Sequence, residues 1–123
     1  MNKELTVAEE KLANLLWQSA PISSPELVEL AGREMDWKKS TTYTILKKLC
    51  EKGVFKNENA LVTTILTQEQ QLARQSRQYV EDTFGGSLPR FLASFIGGGN
   101  KLTQAQAAEL KQLIANHEEG END

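Results

Sequence analysis

Hydroxyl side chains followed by lysines run along residues 40–48, STTYTILKK, and no other stretch of the chain offers such pointed chemistry. On a helix turning about 100° per residue, Thr42, Ile45, Leu46 and Leu49 fall on one apolar stripe. Ser40, Thr44, Lys47 and Lys48 then lie on the opposite face, with Thr41 at its margin. Hydroxyls at the start of such a face hydrogen-bond base edges or phosphates, and lysines further along neutralise phosphates, so the face suits a DNA groove. A lysine-rich helix that simply faces water is the plain alternative. Gly53 stands where a left-handed residue ends a helix, so residues 37–53 read as one amphipathic helix with its stop signal.

Other chemistry is sparse. His117 is the single histidine and sits beside an acidic tail, away from any serine- or cysteine-centred motif. Cys50 is the single cysteine, which excludes an internal disulfide and a multi-cysteine zinc site; it borders the buried stripe and reads as packing. The Gly97–Gly99 run falls between helices rather than after a strand, so it reads as a hinge and not a phosphate loop. Groups for general acid–base or nucleophilic catalysis are not assembled, and we expect no enzyme, metal or cofactor.

Charge is uneven. The 123-residue chain carries a net −3, yet Arg33–Lys56 holds seven bases against three acids and is +4, leaving −7 elsewhere. A local basic surface on an acidic chain is the expected footprint of a nucleic-acid binder with a low isoelectric point. No stretch is apolar enough to span a bilayer and the first ten residues have no signal-peptide core, so a cytoplasmic location is expected, without membrane insertion.

The elements that must position the helix follow in order. Leu5–Ala20 reads as a first helix, with Thr6 and Glu9 as a capping box and Pro21 as its stop. Pro21–Ser23 has room for a connector or a one-bridge strand. Ser23 or Ser24 caps a second helix that buries Leu27, Val28 and Ala31 and ends near Gly32. The third helix, after a turn at Arg33–Asp36, completes the spacing of a helix-turn-helix, in which helix two supports and helix three presents. Val54–Lys56 and Leu61–Leu66 then read as two short strands, a wing, joined by turn residues 57–60. Lys56 is the wing's one base and its best candidate for a phosphate contact.

Gln68–Phe84 reads as a fourth helix with Leu72, Tyr79, Val80 and Phe84 on one face. Ser87 and Pro89 open a fifth, carrying Phe91, Leu92, Phe95 and Ile96. Thr103 and Gln106 cap a sixth, with Leu110, Leu113 and Ile114. Residues 68–117 are too few to bury these faces alone, so they either fold back as a cap on the first domain or pair with a second copy. Pairing is the expectation, since helix-turn-helix proteins read two half-sites as symmetric dimers. The reading is therefore a mainly α chain with a β-hairpin wing. Residues 1–67 form a winged helix-turn-helix domain, 68–117 a helical dimerisation region, and 118–123 an acidic disordered tail.

LTVAEEKLANLLW, ISSPELVELA and DWKKSTTYTILKKLCEKGVF together resemble the BlaI/MecI/CopY family of bacterial repressors, and the resemblance runs to about Asn116. It implies an N-terminal winged helix, a C-terminal dimerisation region and binding of inverted-repeat operators as a homodimer. Ser40, Thr41, Tyr43, Thr44 and Lys48 occupy the family's recognition-helix positions, with Lys39 and Lys47 adding charge beside them. Ser40 and Tyr43 depart from basic residues common in the penicillinase branch, and the wing is shorter and less basic. That branch is induced through a membrane sensor with a zinc protease domain, and its cleaved bond aligns with Ser94-Phe95. The copper-sensing branch uses C-terminal cysteines that this chain lacks. A winged-helix module that binds another protein is the alternative; the lysines of the presenting face favour DNA.

Overall fold

The computed structural model describes residues 4–99 and 101–118. Most of the tail expected to be disordered, 119–123, lies outside the described residues. Two compact units divide the chain, one ending at Tyr79 and the other starting at Val80.

In the first unit, α1 (Val7–Ser19) opens on the expected capping box: Thr6 accepts from Glu9 N–H and the Glu9 carboxylate accepts from Thr6 N–H. A second capping box, Ser23 with Glu26, opens α2 (Ser24–Met35). Gly32 does not end that helix. The chain runs helically through it, and Asp36 takes the left-handed cap conformation instead (φ 57°). The expected turn at Arg33–Asp36 therefore shrinks, and α3 (Lys39–Glu51) begins after Trp37 rather than with it.

Gly53 ends α3 as its position implied. Its φ is 78°, its N–H reaches Cys50 O at 3.0 Å, and Val54 N–H reaches Leu49 O at 3.1 Å. That pair of bonds is the Schellman arrangement, with Val54 and Leu49 both fully buried beneath it. Strands β2 (Phe55–Glu58) and β3 (Leu61–Thr64) form the wing, and β1 (Ile22–Ser23) pairs with β3 to give the antiparallel order β1-β3-β2. The loop is tighter than residues 57–60, because Asn57 and Glu58 stay paired with Val62 and Leu61. Only Asn59 and Ala60 turn, with φ of 53° and 62°, as in a type I′ hairpin.

Leu12, Leu16, Leu27, Leu49, Val54, Phe55 and Val62 are core residues with no exposure. Trp17 leans on Phe55, ring centres 5.6 Å apart, and its indole N–H donates to Leu66 O. The long helix α4 (Gln68–Phe84) runs through the division between the units.

The second unit continues with α5 (Leu88–Gly97), capped by Ser87, and α6 (Gln104–His117), opened by the Thr103–Gln106 capping box. Phe84, Phe91 and Phe95 form a chain of ring contacts, with centres 5.6 and 6.4 Å apart. No helix among the described residues is long and apolar enough to cross a membrane.

Candidate nucleic-acid interface

The α3 helix separates its side chains as its sequence requires. Thr42, Leu46 and Leu49 are buried, with Ile45 half-buried beside them. Thr42 tolerates burial because its hydroxyl donates to Lys38 O at 3.1 Å. Lys39, Ser40, Thr41, Thr44, Lys47 and Lys48 are all exposed. Tyr43 is placed differently. It is half-buried against the core, and its hydroxyl lies 3.4 Å from Ser24 Oγ at the start of α2.

The first turn of α3 is open. The N-terminal residues of α1, α2 and α6 are covered by capping boxes, whereas the N-cap of α3 is Lys38, which makes no side-chain capping bond. Free N–H groups and the positive end of the helix dipole there, flanked by Lys38 and Lys39, form a surface complementary to an anion.

Between α3 and the wing lies a groove of about 600 Å³, lined by Tyr43, Leu46, Lys47, Cys50, Phe55, Lys56 and Ile65 among others. Burial pushes the Cys50 thiol above its usual pKa, so it is a packing residue, as expected. At the wing, Lys56 pairs with Glu58 at 3.4 Å, and both side chains are exposed. The tip therefore carries little net positive charge.

One lysine counted in the basic window is not available to a ligand. Lys52 donates to Glu9 Oε1 at 2.6 Å and to Glu4 O at 2.7 Å. Burial raises the Glu9 pKa, but the Lys52 hydrogen bond, the Thr6 amide and the lysine charges outweigh it and hold the carboxyl below its ordinary value. Periodicity could not have shown this, since Glu9 also satisfies the capping-box pattern.

In the second unit the residues expected to pair with another copy are accessible. Phe95, Ile96, Leu113 and Ile114 are exposed, Phe91, Leu92 and Leu110 are half-buried, and neither α5 nor α6 buries a residue. Ser94 and Phe95 are both exposed within α5. Among the described residues no cluster of His, Cys, Asp or Glu could hold a metal ion.

A three-helix core with a short antiparallel sheet and an open, hydroxyl- and lysine-bearing third helix defines a winged helix. The model of the penicillinase repressor family matches residues 5–116, and the chain belongs to that family, a family of transcriptional repressors. It is also similar to an uncharacterised 16.5 kDa protein from the ptsI 3′ region of Latilactobacillus sakei. The two are 24% identical over 115 residues, covering 90% of this chain and 78% of that relative.

Proposed function

We propose that the chain is a cytoplasmic repressor that reads an inverted-repeat DNA operator as a homodimer, with α3 in the major groove. The observation that carries this is the two-sided α3 helix: Thr42, Leu46 and Leu49 inward, Ser40, Thr41, Thr44, Lys47 and Lys48 outward. Thr41 and Thr44 lie where base edges would be read. Lys39, Lys47, Lys48 and the uncapped first turn of α3 would hold phosphates. Lys56 adds a wing contact weakened by its pairing with Glu58. Half-buried Tyr43 acts through its edge and by fixing α3 against α2.

The apolar faces of α5 and α6 supply the dimer contact, through Phe91, Leu92, Phe95, Ile96, Leu110, Leu113 and Ile114. Induction by a cut at Ser94-Phe95, through a membrane sensor protease, would separate the reader from much of that contact. The bond is exposed but helical, so α5 must open locally before a protease can hold it extended.

Selection of bound sequences from a random duplex pool is the test, followed by a salt series on the selected site. Thr41→Ala and Thr44→Ala should each lower discrimination by about 1–3 kcal/mol where the hydroxyl hydrogen-bonds a base edge. Lys47→Ala and Lys48→Ala should weaken all duplexes alike and reduce the salt slope by about one for each phosphate no longer neutralised. If no sequence is enriched, or none of the four variants changes binding, α3 is not the reader.

A further inference from the structure

Directional polar bonds, and not only packing, hold the end of α3. Arg74 in α4 donates through Nη2 to Lys52 O at 2.8 Å and to Gln71 Oε1 at 2.6 Å. Lys52 is the C-cap of α3, and its ammonium turns the other way to Glu9 and Glu4 O. A second tie joins the same region to α4, because Gln75 Oε1 accepts from Leu5 N–H at 3.2 Å and from Gln71 Nε2 at 2.8 Å. Gln71 and Glu9 are each only 2% exposed, while Leu72, which would cover the core better, is 53% exposed. Within the first unit, the inward side of α4 is thus made of carboxamide and guanidinium groups, whose hydrogen bonds weaken steeply when misaligned. Apolar packing alone would tolerate more tilt and sliding.

We propose that Arg74, Gln71 and Gln75, with Lys52 and Glu9, form a clasp that fixes the angle between α3 and α4 and thereby the half-site spacing a pair of chains accepts. The proposal rests on the DNA-reading function above. Leverage makes it physical: α4 has 17 residues and is about 25 Å long. A tilt of about 10° at its start displaces its far end by roughly 4 Å, comparable to the ~3.4 Å rise of one base pair. Arg74 is on this account a positioning residue, which need not touch DNA to affect which operators bind.

The test uses the full chain, as wild type, Arg74→Met and Gln75→Leu. Duplexes carry the selected half-sites at their native spacing, at spacings changed by one or two base pairs, or one half-site alone. Wild type should prefer its spacing by about 100-fold, since bivalent binding is lost when geometry forbids it. Both variants should cut that preference to about tenfold or less while binding the single half-site as wild type does. An unchanged spacing profile, or an equal loss on every duplex, overturns the proposal. Hydrogen exchange without DNA provides an independent readout. The amides of Gly53, Val54 and residues 71–75 should exchange faster in the variants than the core of α1 does. Unaltered exchange there overturns the clasp. If Arg74→Met does not fold, Gln75→Leu decides both readouts. A wild type that ignores spacing overturns the spacing role, and one that binds no duplex overturns the DNA reading itself, whatever the exchange result.

Discussion

Leu12, Leu16, Leu27, Leu49 and Phe55 have no exposure in the first unit, whereas Leu88, Phe95, Leu113 and Ile114 in the second are 50–56% exposed. Apolar content is not what separates the two regions, since α5 is the more apolar stretch. They differ in closure. In the first unit α1, α2, α3 and the sheet bury their main apolar sides against one shared core, although Val7, Ile65 and Leu72 stay exposed. The second, among its described residues, has the end of α4 and two short helices, and neither of those two buries a residue. Burial is roughly proportional to area removed from water, so the first unit gains its hydrophobic stabilisation on folding, and under the proposed pairing the second would gain much of its own on association.

Core truncation should break this contrast most strongly. Phe55→Ala should destabilise the first unit by about 3–5 kcal/mol, as for other buried aromatic deletions. Phe95→Ala should leave that unit's unfolding transition in place. Urea denaturation followed by Trp17 and Trp37 fluorescence reads both. Equal shifts would mean that the two units fold as one.

Next in size is the paired change Phe95→Ser with Leu113→Ser. We expect a folded first unit, a monomer by sedimentation, and operator affinity reduced by about 100-fold or more because bivalency is gone. A dimer that survives both changes would move the assembly surface elsewhere.

The Glu9–Lys52 pair sharpens the description of the first unit. Glu9→Gln should cost about 2 kcal/mol at neutral pH, the range for a hydrogen bond to a charged group. The Glu9 carboxyl is held below its ordinary 4.5, so its contribution is fully present above that value. It is lost as pH falls through the lowered folded-state value. The gap between wild type and Glu9→Gln should therefore close in acid, and a gap that does not narrow as the carboxyl is protonated would contradict the assignment.

The smallest effect belongs to the wing. Glu58→Lys removes the partner of Lys56 and adds a charge, and should tighten binding to random duplex a few-fold at low salt with little change in stability. Unchanged or weaker binding would count against a wing lying near DNA.

Much of this was legible because local rules and global packing agreed. The capping boxes at Thr6 and Thr103, the Gly53 stop and the inward stripe of Thr42, Leu46 and Leu49 each depend on neighbours within one helical turn or two. Gly32 misled because glycine ends a helix only where the backbone must turn left-handed, and there Asp36 makes that turn. β2 ran two residues further than its composition implied, since pairing with β3 overrides the weak strand preference of Asn57 and Glu58, whereas β3, expected to reach Leu66, ended at Thr64. Leu72, expected on the apolar face of α4, is exposed, and Gln71 is buried in its stead, because it bonds to Arg74 and Gln75, whose own partners Lys52 and Leu5 lie in other elements, beyond the reach of periodicity. Lys52 was counted as surface charge for the same reason. The buried and exposed faces of α3 were thus legible in the sequence, and the bonds that hold the end of the helix were not.

The turn at Asn59-Ala60 limits how far the wing can be treated as an exchangeable module. Ala60 adopts a positive φ without being glycine, and its carbonyl accepts from Ser24 N–H at 2.8 Å, at the first residue of α2. The tip is therefore part of the scaffold that seats the supporting helix, and not a flap hung on the end of a hairpin. A protein engineer grafting a longer, lysine-bearing loop there would have to supply a new acceptor for that amide. Lengthening the wing by residues inserted away from position 60, with the Ala60 carbonyl kept in place, would respect the scaffold and leave the start of α2 where Tyr43 meets it.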